Sequence, residues 1–147
     1  MQLTRHTDFA LRVLIYLAVN PGRLSRISEI AEAYQVSRHH LVKVVHQLGR
    51  TGHVKTFQGK SGGIRLGRPA NEIRVGDVVR DMEENLEIIN CVAPACAIMP
   101  DCRLKDVLLA ARDAFMDTLD NVTLEDLITR REHNLARRLS ITPTTQG

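Results

Sequence analysis

The chain has no tryptophan, and two tyrosines and three phenylalanines are its only aromatic residues among 147. A packed core must therefore be built from aliphatic side chains, for which a hydrophobic content of 44% is sufficient. Long apolar runs are also missing. The stretch Ala10–Val19 is interrupted by Arg12 and is too short to span a bilayer. The opening residues Met1 to Asp8 lack the basic region and apolar run of a secretion signal. These absences predict a soluble, cytoplasmic protein with no membrane partner. Cysteine is scarce, and an odd count of three excludes a fully paired disulfide framework.

The scarce cysteines are clustered. All three lie in Cys91-Val-Ala-Pro-Ala-Cys96-Ala-Ile-Met-Pro-Asp-Cys102. Three thiols gathered in one loop are the pattern of metal ligands. A structural zinc or an iron–sulfur cluster takes four, so one ligand must come from a non-cysteine residue or a second chain. Closed zinc sites favour Cys-x-x-Cys pairs, whereas four and five residues separate these thiols, a spacing that suits a bulkier cluster.

Charge is asymmetric. Between Arg23 and Arg68 nine Lys/Arg face only Glu29 and Glu32, while 13 Asp/Glu fall between Asp77 and Glu132. A local basic segment is either the footprint of a polyanion or a solvated face.

The order of elements sharpens the choice. A helix capped by Thr4 or Thr7 runs to about Val19, with Phe9, Val13, Tyr16 and Leu17 facing the core. A second fits Ile27–Tyr34 behind Ser25 or Ser28. A third follows Ser37, with Leu41, Val44, Val45 and Leu48 at helical spacing and Gly49 and Gly52 at its end. The segments 53–57 and 64–66, joined by a glycine-rich tip, read as a hairpin. Helix, turn, helix and hairpin make a winged helix-turn-helix, whose later helix enters the major groove and whose wing touches backbone or minor groove.

Val75–Glu83 then reads as a connecting helix. From Arg103 a longer helix carries Leu104, Val107, Leu108, Ala111, Phe115 and Leu119 on one stripe. That stripe either packs back on its own domain or, as we expect, forms a dimer seam. Thr123 to Asp126 predicts a capped helix to about Arg130. The expected fold is mainly α with a small β-hairpin wing. A winged helix-turn-helix domain (1–74) precedes a connecting helix, cysteine loop and dimerisation helix (75–132), then a C-terminal tail (133–147) disordered at its end.

Within this frame the start of the third helix supplies the DNA contacts: Ser37, Arg38, His39, His40 and, a turn later, Lys43. Arg38 has the fork to bond a guanine edge twice. His39 and His40 are either contacts or solvated helix residues. Lys60 at the wing tip is placed for phosphate, with Gly62 and Gly63 permitting close backbone approach. Gly59-Lys-Ser61 mimics the end of a P-loop, but its earlier glycine would fall at Val54 and no helix follows. No His-x-Glu with a paired Cys-x-x-Cys is present. Nothing in the chain argues for an enzyme.

Taken together, Ser28-Glu-Ile-Ala-Glu32, Val36-Ser-Arg-His-His-Leu41, Lys60-Ser-Gly-Gly-Ile-Arg-Leu66 and the cysteine loop resemble the winged-helix iron–sulfur regulators that include IscR and NsrR. The resemblance runs from Met1 to about Ile128 and is strongest to the NsrR-type, nitric-oxide-sensing repressors. It implies a homodimer on a palindromic double-stranded operator. It also implies an iron–sulfur cluster, 4Fe–4S in preference to 2Fe–2S, on Cys91, Cys96 and Cys102. IscR-like members place a histidine three positions after the third cysteine, and here that position is Lys105. NsrR-like members use an N-terminal aspartate, which Asp8 matches; His6 is the local rival. The implied action is release of the operator when nitric oxide nitrosylates the cluster. The alternatives are a regulator of iron or cluster status and a zinc- or cluster-binding interaction module.

Overall fold

The computed structural model describes residues 2–140. Helix α1 (Arg5–Val19) starts at Thr4, whose hydroxyl accepts from the Thr7 N–H at 3.3 Å. Such a cap is worth about 1 kcal/mol. Val13, Tyr16 and Leu17 are buried as the periodicity predicts, but Ala10 and Leu14 are buried more completely than Phe9. The helix is covered on more than one side, so one stripe understates its buried face.

Helix α2 (Ile27–Tyr34) begins after Arg26 without a side-chain cap. Neither Ser25 nor Ser28 caps it. Ser25 is instead fully buried, and its backbone pairs with Ile64 as a one-residue third strand of the wing. Helix α3 (Arg38–Arg50) follows Ser37, which holds the cap position without a side-chain bond, and buries Leu41, Val44, Val45 and Leu48 as expected. The wing pairs β1 (Val54–Phe57) with β2 (Gly63–Leu66) antiparallel, Lys55 opposite Arg65.

Helix α4 (Val75–Met82) leads through an irregular segment to α5 (Arg103–Asp120). Helix α6 (Leu124–Ile128) is closed by the predicted capping box of Thr123 and Asp126. Helix α7 (Glu132–Arg138) occupies most of the described part of the expected tail, with Leu135, Ala136 and Leu139 against the core. The rest of that tail, 141–147, lies outside the described residues.

One aliphatic cluster joins these pieces. Leu14, Ile30, Leu41, Leu48, Ile64, Ile73 and Leu124 are its largest fully buried members, each worth about 1.5–3 kcal/mol of burial. It takes Val78 and Met82 from α4 and Leu124 and Ile128 from α6, so the core continues past residue 74. A smaller cluster sets Val75 and Val79 of α4 against Met116 of α5. Gly76 is where those helices meet most closely, because a Cβ there would run into the Asp120 carboxylate. Asp120 instead receives both Arg80 amino groups, at 2.6 Å each. That fork holds the Asp120 carboxyl below its usual range.

Candidate DNA-reading face and cysteine loop

Helix α3 turns about 100° per residue, so its buried side fixes the opposite one. Opposite Leu41, Val44, Val45 and Leu48 stand His39, Lys43, His46 and Arg50, all exposed. Val42 is 40% exposed and lies on one flank with Arg38. The other flank faces α1: the His40 ring stacks on Phe9 at 6.4 Å, and Gln47 Oε1 lies 2.8 Å from His6 Nε2. Of the expected contacts, His39 and Lys43 therefore centre the outward face, Ser37 and Arg38 stand exposed at its start, and His40 is partly spent on packing. His46 and Arg50 belong to the face and were missed. The spacing 39, 43, 46, 50 was the signal that could have found them.

The wing brings Lys60 to an exposed tip. Gly62 sits where a Cβ would strike the Phe57 carbonyl oxygen, so the tight turn requires it. A Cβ on Gly63 would lie 2.8 Å from the Ser25 carbonyl oxygen, an internal reason for that glycine. Along the strands Arg65 lies over the Phe57 ring, 4.8 Å from its centroid.

A polar chain behind these surfaces was also missed. His53 is fully buried at the base of the wing. Arg68 Nη2 lies 2.9 Å from His53 Nδ1, and His53 Nε2 lies 2.7 Å from Asp81 Oδ2. A guanidinium only donates, so Nδ1 is the acceptor and Nε2–H donates to the carboxylate. Gln47 of α3 donates to the Asp81 carbonyl oxygen at 2.6 Å. The last turn of α4 thus holds the wing base through one group of Asp81 and the reading helix through another.

Just beyond, Glu83 accepts from the Thr4 N–H at 2.7 Å and the Thr4 hydroxyl at 3.0 Å. Burial pushes its carboxyl up, but hydrogen bonds from Thr7 and Thr4 and the nearby His6 outweigh that and leave it below the usual range.

The cysteine segment is a succession of turns. Asn90 Oδ1 accepts from the Val92 and Ala93 N–H groups, the Cys96 N–H donates to the Cys91 carbonyl, and the Met99 N–H donates to that of Cys96. Cys102 sits at the cap of α5. All three thiols are free; Cys96 is exposed and the others half-buried. No three His, Cys, Asp or Glu side chains converge on a metal position among the described residues. Asp8, 44% exposed, is occupied by Arg12 Nε at 2.9 Å. Arg12 in turn lies over the Tyr34 ring, and the Tyr34 hydroxyl, pushed up to about 12 chiefly by burial, donates to the Arg12 carbonyl. His6 is engaged by Gln47.

By type and number the donor set fits an iron–sulfur cluster: three free thiols and one accessible carboxylate. Along helix α5 Met116 is the one buried residue, while Leu104 and Val107 are 59% and 55% exposed.

An exposed reading helix, a hairpin wing and a separate cysteine segment define a winged-helix transcriptional regulator. Over residues 3–130 the chain matches the family model Rrf2, described as an iron-dependent transcriptional regulator, and it belongs to that family. Similar solved structures include CymR (YrzC), the global cysteine regulator of B. subtilis. It is 27% identical, covers 88% of this chain and 98% of its own, and has a TM-score of 0.73. The oxidised form of Staphylococcus aureus CymR is 29% identical over 86% of this chain and 95% of its own, with a TM-score of 0.72. IscR of T. potens, at 24% identity, 100% and 94% coverage and a TM-score of 0.72, shares the fold. No helix among the described residues is long and apolar enough to cross a membrane.

Proposed function

We propose that this regulator is an NsrR-type repressor that holds its operator as a homodimer and releases it in response to nitric oxide. The observation that carries the reading is the donor set. Three free thiols share one loop, Lys105 stands where an IscR-like histidine would be, and Asp8 offers an accessible carboxylate on the first turn of α1. Cys91, Cys96 and Cys102 of one subunit and Asp8 of the other would hold the cluster, most simply a 4Fe–4S cluster. Such a cluster would supply iron able to react with nitric oxide.

The chain's own residues supply the rest. Residues 1–74 read DNA, with His39, Lys43, His46 and Arg50 facing the groove, Arg38 at the helix start and Lys60 on phosphate. Residues 75–132 sense and dimerise, the α5 stripe forming the seam. Helix α4 couples the two, because the Glu83–Thr4 bond stands at the entry to the loop and Asp81 bonds Gln47 and His53 two residues earlier. A loop that changes its hold on α4 bears on the reading helix and the wing together. The family description, iron-dependent, favours a second reading in which iron or cluster supply is the signal.

Fluorescence anisotropy of the anaerobic, cluster-loaded dimer on its operator separates the two. On the first reading nitric oxide raises Kd at least tenfold, about 1.4 kcal/mol. An unchanged Kd with nitric oxide, and a changed one on cluster removal, selects the second.

A further inference from the structure

The basic charge of the wing is not confined to the surface that would meet DNA. A cleft of about 370 Å³ opens between the turn after α1 and the base of the wing. Arg23, Lys55, Arg65 and Arg68 line it, and no acidic residue does. Glu29 pairs with Arg23 at 2.9 Å. For Lys55, Arg65 and Arg68 no carboxylate lies within ion-pair distance among the described residues.

One further observation points to a ligand. Lys55 and Arg65 are direct partners across the β1–β2 ladder. Like charges in that position repel unless an anion lies between them.

We propose that this cleft is an anion site that takes a phosphate group, bound by Lys55, Arg65 and Arg68. It is separate from the contact expected at the wing tip: Lys55 stands in β1, whereas Lys60 lies in the turn beyond the end of that strand. Guanidinium forks and an ammonium suit a phosphate's several oxygens. Arg68 also bonds His53, so an occupied cleft abuts the polar chain that reaches α4. The site does not depend on how the cysteine loop senses its signal.

The phosphate is that of a free phosphorylated small molecule, and one experiment with two arms tells such a ligand from the backbone of bound duplex. The full-length dimer and its Lys55→Gln/Arg65→Gln variant are titrated with pyrophosphate by calorimetry, against sodium chloride at matched ionic strength. Both proteins are then titrated with operator duplex across a salt series. Saturable pyrophosphate binding, weakened at least tenfold in the variant, supports a free ligand. No pyrophosphate binding, but a log K against log salt slope shallower by about 3.6 in the variant dimer, which loses two cations per subunit, means that these residues only meet duplex backbone and overturns the proposal. Pyrophosphate behaving as chloride does, with an unchanged salt slope, overturns the proposal. Thermal unfolding of the variant alongside the wild type separates loss of the site from loss of the fold. Operator binding that survives in the wild type keeps failure of this site distinct from failure of the DNA-binding reading.

Discussion

His53, with no solvent exposure, donates from Nε2 to the Asp81 carboxylate across 2.7 Å, joining the base of the wing to the last turn of α4. Removing the carboxylate leaves a buried imidazole N–H without an acceptor, and Arg68 loses a well-oriented partner. Asp81→Ala is expected to destabilise the fold by about 1–3 kcal/mol. It should also weaken operator binding without preventing cluster loading. Urea unfolding of Asp81→Ala, His53→Ala and the double variant gives the coupling, expected to exceed about 0.5 kcal/mol. Additive effects would mean that the pair is not a unit.

On the DNA face the roles differ by position. Arg38→Ala and Arg50→Ala should each weaken the operator more than random duplex, with a discrimination of about 1–3 kcal/mol lost where a base edge is read. Lys60→Ala should weaken both DNAs alike and make the salt slope of the dimer shallower by about two, one for each subunit. His40→Ala should act mainly on stability, because its ring packs on Phe9. Binding isotherms on both duplexes at several salt concentrations check the first three, and thermal unfolding checks His40→Ala.

The sequence made the winged helix legible because its signals were local and mutually consistent. The apolar spacing of α3 placed Leu41, Val44, Val45 and Leu48 correctly, and the glycine-rich tip marked the hairpin. What escaped depended on distant partners. Ser25 looks like a helix cap, yet its backbone is drawn into the wing by Ile64. His53 looks like one of several scattered histidines until Asp81 and Arg68 close around it. Helix α7 carries only a weak stripe and is placed by the α1 surface that it covers. The candidate cluster site was legible as a donor set. Its assembly was not, because four ligands spread over Asp8 and the 91–102 loop are brought together by a second subunit in this account.

Helix α5 bears on that assembly directly. Leu104 and Val107 are exposed on an 18-residue helix with one fully buried side chain. Leu104→Lys with Val107→Lys should convert the dimer to monomer in sedimentation velocity while leaving the circular dichroism spectrum nearly unchanged. A dimer that persists would move the seam elsewhere.

Acid should test the Glu83–Thr4 tie. The Glu83 carboxyl sits below its ordinary range in the folded chain, so its contribution is present above the unfolded value and is lost as pH falls through the folded one. Unfolding free energy measured across the acid limb should decline less steeply for Glu83→Gln than for the wild type. Parallel curves would contradict the tie.

The central claim is that three cysteines and Asp8 together hold the nitric-oxide sensor. It is tested most directly by anaerobic native mass spectrometry and visible absorption of the wild type and Asp8→Ala, before and after nitric oxide. A wild-type dimer with the mass of a 4Fe–4S cluster and a broad visible absorption band is expected. Asp8→Ala should alter that band, and nitric oxide should bleach it in the wild type. A colourless protein carrying zinc, or a cluster indifferent to both Asp8→Ala and nitric oxide, would contradict it.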